Sequence, residues 1–291
     1  MKKILLYSIG CVVIVVCVVC YFAFTQTREL QECKNERDKR SGCVQKIYYE
    51  NGKLGSEIPL ENGKPHGALK YYDENGILRR ESSYKDGKPH GVEKGYYANG
   101  KLEYEAPYEN GKLHGVEKGY YANGKLEYEI SYKNDKKHGI EKWYYENGNL
   151  KREIPYENDK LHGVAKEYYE NGNLMYEIPY RNGEKHSMGK VYYESGKLMS
   201  ESPYKNGKQH GVEKAYYENG KLKLETPYEN DEKHGVEKYY YESGSLRAQI
   251  TYENGNIVSG VCGDGKKIPN IQGLGSYWGN IGEQISKSCK E

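Results

Sequence analysis

The sequence predicts an all-β protein: an elongated single-sheet antiparallel meander of about eight 24-residue β-hairpins, preceded by one transmembrane helix. Three observations predict the meander. The sixteen residues HGVEKGYYANGKLEYE run from His90 to Glu105 and return unbroken from His114 to Glu129, a step of 24 residues. All eight histidines fall on that step, from His66 to His234, and a lysine follows each of them four residues later. Each unit also carries two turn signals, and Asn-Gly between alternating segments is a strong hairpin signal. A repeat of fixed period dictates architecture before any single residue is weighed.

Composition agrees with a thin sheet. The 291 residues include 33 Tyr and 35 Gly, with 30% charged and only 36% hydrophobic even when tyrosine is counted. So few aliphatic side chains cannot fill a thick core, and tyrosine must supply the buried area. The 44 basic and 42 acidic residues are interspersed along the chain. That leaves no electrostatic footprint for nucleic acid.

In chain order, the first element is the uncharged run ILLYSIGCVVIVVCVVCYFAF, Ile4 to Phe24, whose 21 residues suffice to cross the bilayer as a helix. A cleaved signal peptide has an apolar region of about 7–15 residues and a small-residue cleavage site, and neither fits here. A lipoprotein reading at Cys11 would leave a very short apolar run before it. Residues 1–27 therefore read as an uncleaved anchor, 28–47 as a linker and N-terminal cap, 48–255 as the repeats, and 256–291 as a C-terminal cap using Trp278, Ile281 and Ile285.

Orientation has two opposed signals. Arg28, Lys34, Arg37, Lys39 and Arg40 outnumber the two N-terminal lysines and argue for a cytoplasmic C-terminal side. The cysteines argue the other way. Cys33 and Cys43 precede the repeats, Cys262 and Cys289 follow them, and none lies within a repeat. They are possible disulfides stapling each end in an oxidising compartment, with four free thiols as the other reading. The expectation adopted is a single-pass membrane-anchored protein with extracytoplasmic repeats.

Within the repeats, the first turn keeps its glycine in all nine copies: Gly52, Gly76, Gly100, Gly124, Gly148, Gly172, Gly196, Gly220 and Gly244. A type I′ turn needs positive φ at both central positions, so Asn99-Gly100 is read as a two-residue loop. That loop places Lys94 opposite Glu105 and Tyr97 opposite Leu102. Alternation then gathers Tyr97, Leu102, Tyr104, Ala106 and Tyr108 on one greasy, aromatic face, with Val92, Lys94, Tyr96, Glu103 and Glu105 on the other. The second turn varies from Asn110-Gly111 to Asn134-Asp135, Asn158-Asp159 and Asn230-Asp231, and is expected to be looser. The register pairs small with large in Gly95–Tyr104, Gly119–Tyr128, Ala215–Leu224 and Tyr239–Ala248, and sets Arg80 against Tyr71 and Arg152 against Trp143 as cation–π pairs.

A hairpin of this length ending in G-K-x-H-G resembles the MORN repeats, and the Y-Y-x-N-G-K-L form is similar to their bacterial variant in YwqK-like antitoxin-type proteins. The resemblance covers about Tyr48 to Gly255. It implies an elongated sheet that binds or scaffolds without catalysis. The anchor and the cysteine-bearing ends depart from that pattern.

Direct reading of the residues finds no catalytic constellation. Equivalent histidines in successive hairpins sit roughly 10 Å apart, too far to share a zinc ion, so no metal is expected and each His is read as capping the second turn through backbone or a Tyr hydroxyl. Repeated glutamates single out no acid–base pair. Gly263-Asp264-Gly265-Lys266 lacks the spacing of a phosphate loop, and no cofactor is implied. Residues fixed in every unit build the sheet, so recognition is expected where the units diverge: Tyr71, Arg80, Trp143, Arg152, Glu167 and Tyr176. Neutral variation at tolerant positions is the competing reading. The expected partner is a protein, with neutralisation of a partner toxin or glycan and cell-wall binding through the tyrosines as alternatives.

Overall fold

A computed structural model describes residues 30–272 and 278–290. The run Ile4–Phe24, and with it the expected membrane helix, lies outside the described residues. Among the described residues no helix is long and apolar enough to cross a membrane. Helix α1 (Glu36–Ser41) precedes the strands, which run from Cys43 to Cys262, and helix α2 (Trp278–Ser288) follows them. The chain divides into two compact units, one ending at Lys88 and the other beginning at Pro89. Each is an antiparallel meander of hairpins.

The hairpin around Gly100 shows how local chemistry sets the register. Lys94 faces Glu105 and Gly95 faces Tyr104, as the alternation predicts. Close to the turn the pattern departs from the two-residue loop. Tyr97 N–H donates to the Lys101 carbonyl at 2.9 Å, Gly100 N–H donates to the Tyr97 carbonyl at 2.9 Å, and Tyr96, not Tyr97, faces Leu102. Positive φ falls on Gly100 (77°) and not on Asn99, whose side-chain oxygen instead accepts from Lys101 N–H at 3.0 Å. This is a three-residue loop closed by a left-handed glycine. Its extra residue is compensated by a bulge at Glu103, which opposes no residue. Two irregularities cancel, so the ladder beyond them is the one a two-residue loop would have produced.

The type I′ geometry belongs to the second turn. Asn110 (φ 52°) and Gly111 (φ 86°) are both left-handed, flanked by Glu109 opposite Lys112 and Tyr108 opposite Leu113. Nor is this turn looser where aspartate replaces glycine. Asp135 takes φ 67°, its N–H donates to the Leu113 carbonyl at 2.9 Å, and its carboxylate accepts from Leu113 N–H at 2.7 Å. Asp159 and Asp231 accept in the same way from Lys137 and Gln209. The carboxylate bond between neighbouring turns offsets the strain of a left-handed non-glycine residue.

First-turn glycines are kept for conformation. Their φ values run from 77° to 96°, and a Cβ at Gly148 would meet nothing within 4 Å. Gly148→Ala should therefore cost about 1–2 kcal/mol by denaturant unfolding despite the open space. An unchanged midpoint would show that the backbone can relax there. Gly95 is kept for the opposite reason: a Cβ would lie 2.1 Å from Tyr104 Cε1, so the tyrosine ring lies directly over the glycine.

Neighbouring hairpins are stitched by tyrosine. Tyr97 Oη donates to the Tyr120 carbonyl at 2.6 Å, and Tyr121, Tyr145, Tyr169, Tyr193 and Tyr217 repeat the bond one unit further on. Each half-buried hydroxyl thus finds an acceptor at a strand end, worth about 1 kcal/mol net. On the face with Lys94 and Glu105, Lys118 lies 3.8 Å from Glu105, an exposed pair of small value.

The two faces differ in burial. Val92, Val116 and Ile140 lie on the face with Lys94 and are 40–47% exposed, whereas Ala106 and Ile130 on the opposite face are buried. That second face is not simply aromatic. Residue 93 stands beside Tyr104 and Ala106, and it begins a row of carboxylates at Glu93, Glu117, Glu141, Glu213 and Glu237. Burial is deepest at the C-terminal end, where Ala248, Ile250, Tyr252 and Cys262 pack with Ile268, Ile271, Ile281, Ile285 and Cys289. Helix α2 supplies Ile281 and Ile285 to this core; it begins at Trp278, whose side chain lies outside the described part. Cys33 is bonded to Cys43 and Cys262 to Cys289, so the second bond ties the end of α2 to the last strand.

Candidate functional site

Four of the divergent positions come together in one line across the buried face of the unit that begins at Pro89. Cross-strand register places Tyr128 opposite Trp143, Trp143 opposite Arg152, Arg152 opposite Glu167, and Glu167 opposite Tyr176. Because every pair is directly opposite on one face, five side chains from three successive repeats line up across the strands. Tyr128 and Trp143 rings lie 4.9 Å apart at 35°. The Arg152 guanidinium stands 4.8 Å over the Trp143 ring on its other strand neighbour. Tyr176 Oη donates to Glu167 at 2.7 Å.

Glu141, unremarked in the sequence because four other copies also carry Glu there, organises the centre of this line. It is 3% exposed and accepts from Lys137 Nζ at 2.5 Å, Trp143 Nε1 at 2.7 Å and an Arg152 terminal nitrogen at 3.3 Å. Lys137 also lies 5.0 Å over the Tyr156 ring. Two cations and an indole N–H around one carboxylate hold Trp143 and Arg152 in place, which is what a rigid recognition surface requires. Arg152 Nε is buried and has no partner among the described residues. The only sequence signal for Glu141 was its being two residues from Trp143, on the same face.

The phenols of this line stay protonated. Burial, then Glu117, pushes Tyr128 well above the ordinary phenol value, and burial with the bond to Glu167 pushes Tyr176 up to about 12. Such phenols donate hydrogen bonds near neutral pH.

Tyr71 and Arg80 lie in the other unit, directly opposite each other with Arg80 4.6 Å over the ring. The histidines border the second turns: His114 Nδ1 lies 3.7 Å from Glu109, His162 Nδ1 3.6 Å from Glu157, and Asn110 N–H reaches His90 Nδ1 at 3.4 Å. The expected cap is thus seen at His90, while Nδ1 of His138 and His210 is buried with no partner among the described residues. Among the described residues no group of three His, Cys, Asp or Glu is placed to hold a metal.

A sequence profile of the family described as MORN repeat variant matches nine segments: 44–62, 65–86, 89–110, 113–134, 137–158, 161–182, 185–206, 209–230 and 233–254. No curated protein matches. Similar solved structures include crystal structures of TcdB2-TccC3-Cdc42, at 14% identity and a TM-score of 0.14, and of TcdB2-TccC3-TEV, at 13% identity and a TM-score of 0.15. Each match covers 75% of this chain, and the chain spans 14% of the length of each. Likeness at that level supports no functional statement.

Proposed function

The chain belongs to the MORN repeat variant family, and we propose that it is a non-catalytic protein-binding array tethered to a membrane through Ile4–Phe24, with its repeats on an oxidising face. The observation that carries the binding role is the line Tyr128–Trp143–Arg152–Glu167–Tyr176. Aromatic residues and arginine are the side chains that dominate protein interfaces, and here they are preorganised by one buried carboxylate. Trp143 is flanked by Tyr128 on one strand and Arg152 on the other, which suits it to edge-on protein contact better than to stacking on a sugar ring. Two disulfides support the oxidising compartment.

Proximity crosslinking in cells that express the wild-type chain or the W143A/R152A variant tests the reading. The expected result is loss of at least about tenfold of partner capture per folded molecule. Equal capture would remove this line from any recognition role. Orientation is tested by adding a membrane-impermeant thiol reagent to intact cells. Cys33 should label only after a reductant is supplied, whereas labelling without reduction, or only after lysis, would place the repeats elsewhere.

A further inference from the structure

We infer that the cleft between α2 and the last two hairpins binds a small carboxylate carrying a short apolar tail, at a site separate from the line around Trp143. The cleft has a volume of about 270 Å³ and is lined by Tyr217, Lys223, Leu224, Arg247, Ile285 and Ser286 among others. Its charged lining is entirely cationic, with no carboxylate among the described residues that line it. Apolar surface comes from Leu224 and Ile285, both buried.

Two polar groups at or next to Arg247 have no hydrogen-bond partner among the described residues. One terminal nitrogen of Arg247 donates to Ser286 Oγ at 2.8 Å, but Arg247 Nε is buried with no partner among the described residues. Tyr241, whose ring lies 5.2 Å from the Arg247 guanidinium carbon, also has a buried hydroxyl with no partner among the described residues. The end of the array explains why. Tyr217 donates to the Tyr240 carbonyl of the next hairpin, and Tyr241 is the first of that series with no further hairpin of the repeat to receive its bond. A guanidinium and an ammonium lining one cleft with Leu224 and Ile285 fit one carboxylate and a short chain. The cavity lies just under the usual range for drug-sized ligands, so the ligand has roughly a dozen non-hydrogen atoms or fewer.

Two sources share this chemistry, a free aliphatic acid and the carboxyl terminus of a peptide. The test titrates hexanoate, its neutral isostere hexanamide, and N-acetylleucine into the full chain with both disulfides intact, followed by ligand-observed NMR. Hexanoate or N-acetylleucine should bind with a dissociation constant on the order of 0.1–1 mM, and hexanamide at least about tenfold more weakly. Whichever acid binds more tightly identifies the source. R247Q should abolish binding; because that change also touches the α2 contact, K223Q is the decisive variant. Lys223 is exposed, and its loss should weaken binding about fivefold without moving the thermal transition. Equal binding of acid and amide, no binding of either acid, or indifference to K223Q would overturn the inference.

Discussion

Glu237→Ala is expected to destabilise the C-terminal end of the array by about 3–5 kcal/mol, more than any other single exchange in the carboxylate row. Glu237 is fully buried and accepts from four donors: Lys233 Nζ at 2.6 Å, Thr226 Oγ1 and Tyr239 Oη at 2.8 Å, and Tyr252 Oη at 3.0 Å. Removing it leaves three hydroxyls without their acceptor and an ammonium that is only 11% exposed. A largely buried cation without its hydrogen-bonded partner is the costly outcome. Glu141→Ala supplies the internal comparison. Its cations, Lys137 and Arg152, are 32% and 36% exposed and can turn to solvent, so the loss should be about 1–3 kcal/mol. Denaturant unfolding of both variants, monitored by circular dichroism, checks the order. If E237A were no worse than E141A, burial of the cation would not be the governing term.

The second large effect is alkaline unfolding. Tyr72, Tyr144, Tyr192, Tyr216 and Tyr240 are each pushed up to about 12 by burial and by donation to a glutamate one strand away. A folded value above the ordinary 10.0 means that the folded state holds its protons longer than the unfolded state does. Stability from these bonds is therefore complete below pH 10 and is lost as pH rises through 12. All five phenols are partly exposed, so solvent screening reduces each contribution to about 1 kcal/mol or less, and together they make roughly 3–5 kcal/mol. That is a large share of a marginal folding free energy. Tyrosinate absorbance and the β-sheet signal should change together between pH 10 and 12. Phenols that ionise near pH 10 with the sheet intact would sink this expectation.

Much of the candidate site was legible before any coordinates. The pairs Trp143–Arg152 and Glu167–Tyr176 follow from a period-two strand and a fixed turn, and variation among the copies singled them out. What stayed hidden was Glu141, because a residue common to most copies looks like scaffold until its neighbours differ. The unpaired groups at Arg247 and Tyr241 were hidden too, since they arise only where the array stops.

The sequence by itself determined the period, the antiparallel meander, the pairing of Lys94 with Glu105 and the fit of Gly95 beneath Tyr104. These are local consequences of turns, alternation and side-chain size, repeated often enough to be read against one another. The tertiary structure alone decided that the type I′ turn is the Asn110-Gly111 one, that Glu103 forms a bulge, and that a carboxylate row lies on the more buried face. A single extra loop residue and a single bulge cancel in the register, so pattern matching cannot see either. Each depends on hydrogen bonds between strands already in place, and burial of Glu237 depends on donors from neighbouring hairpins that only folding brings within reach.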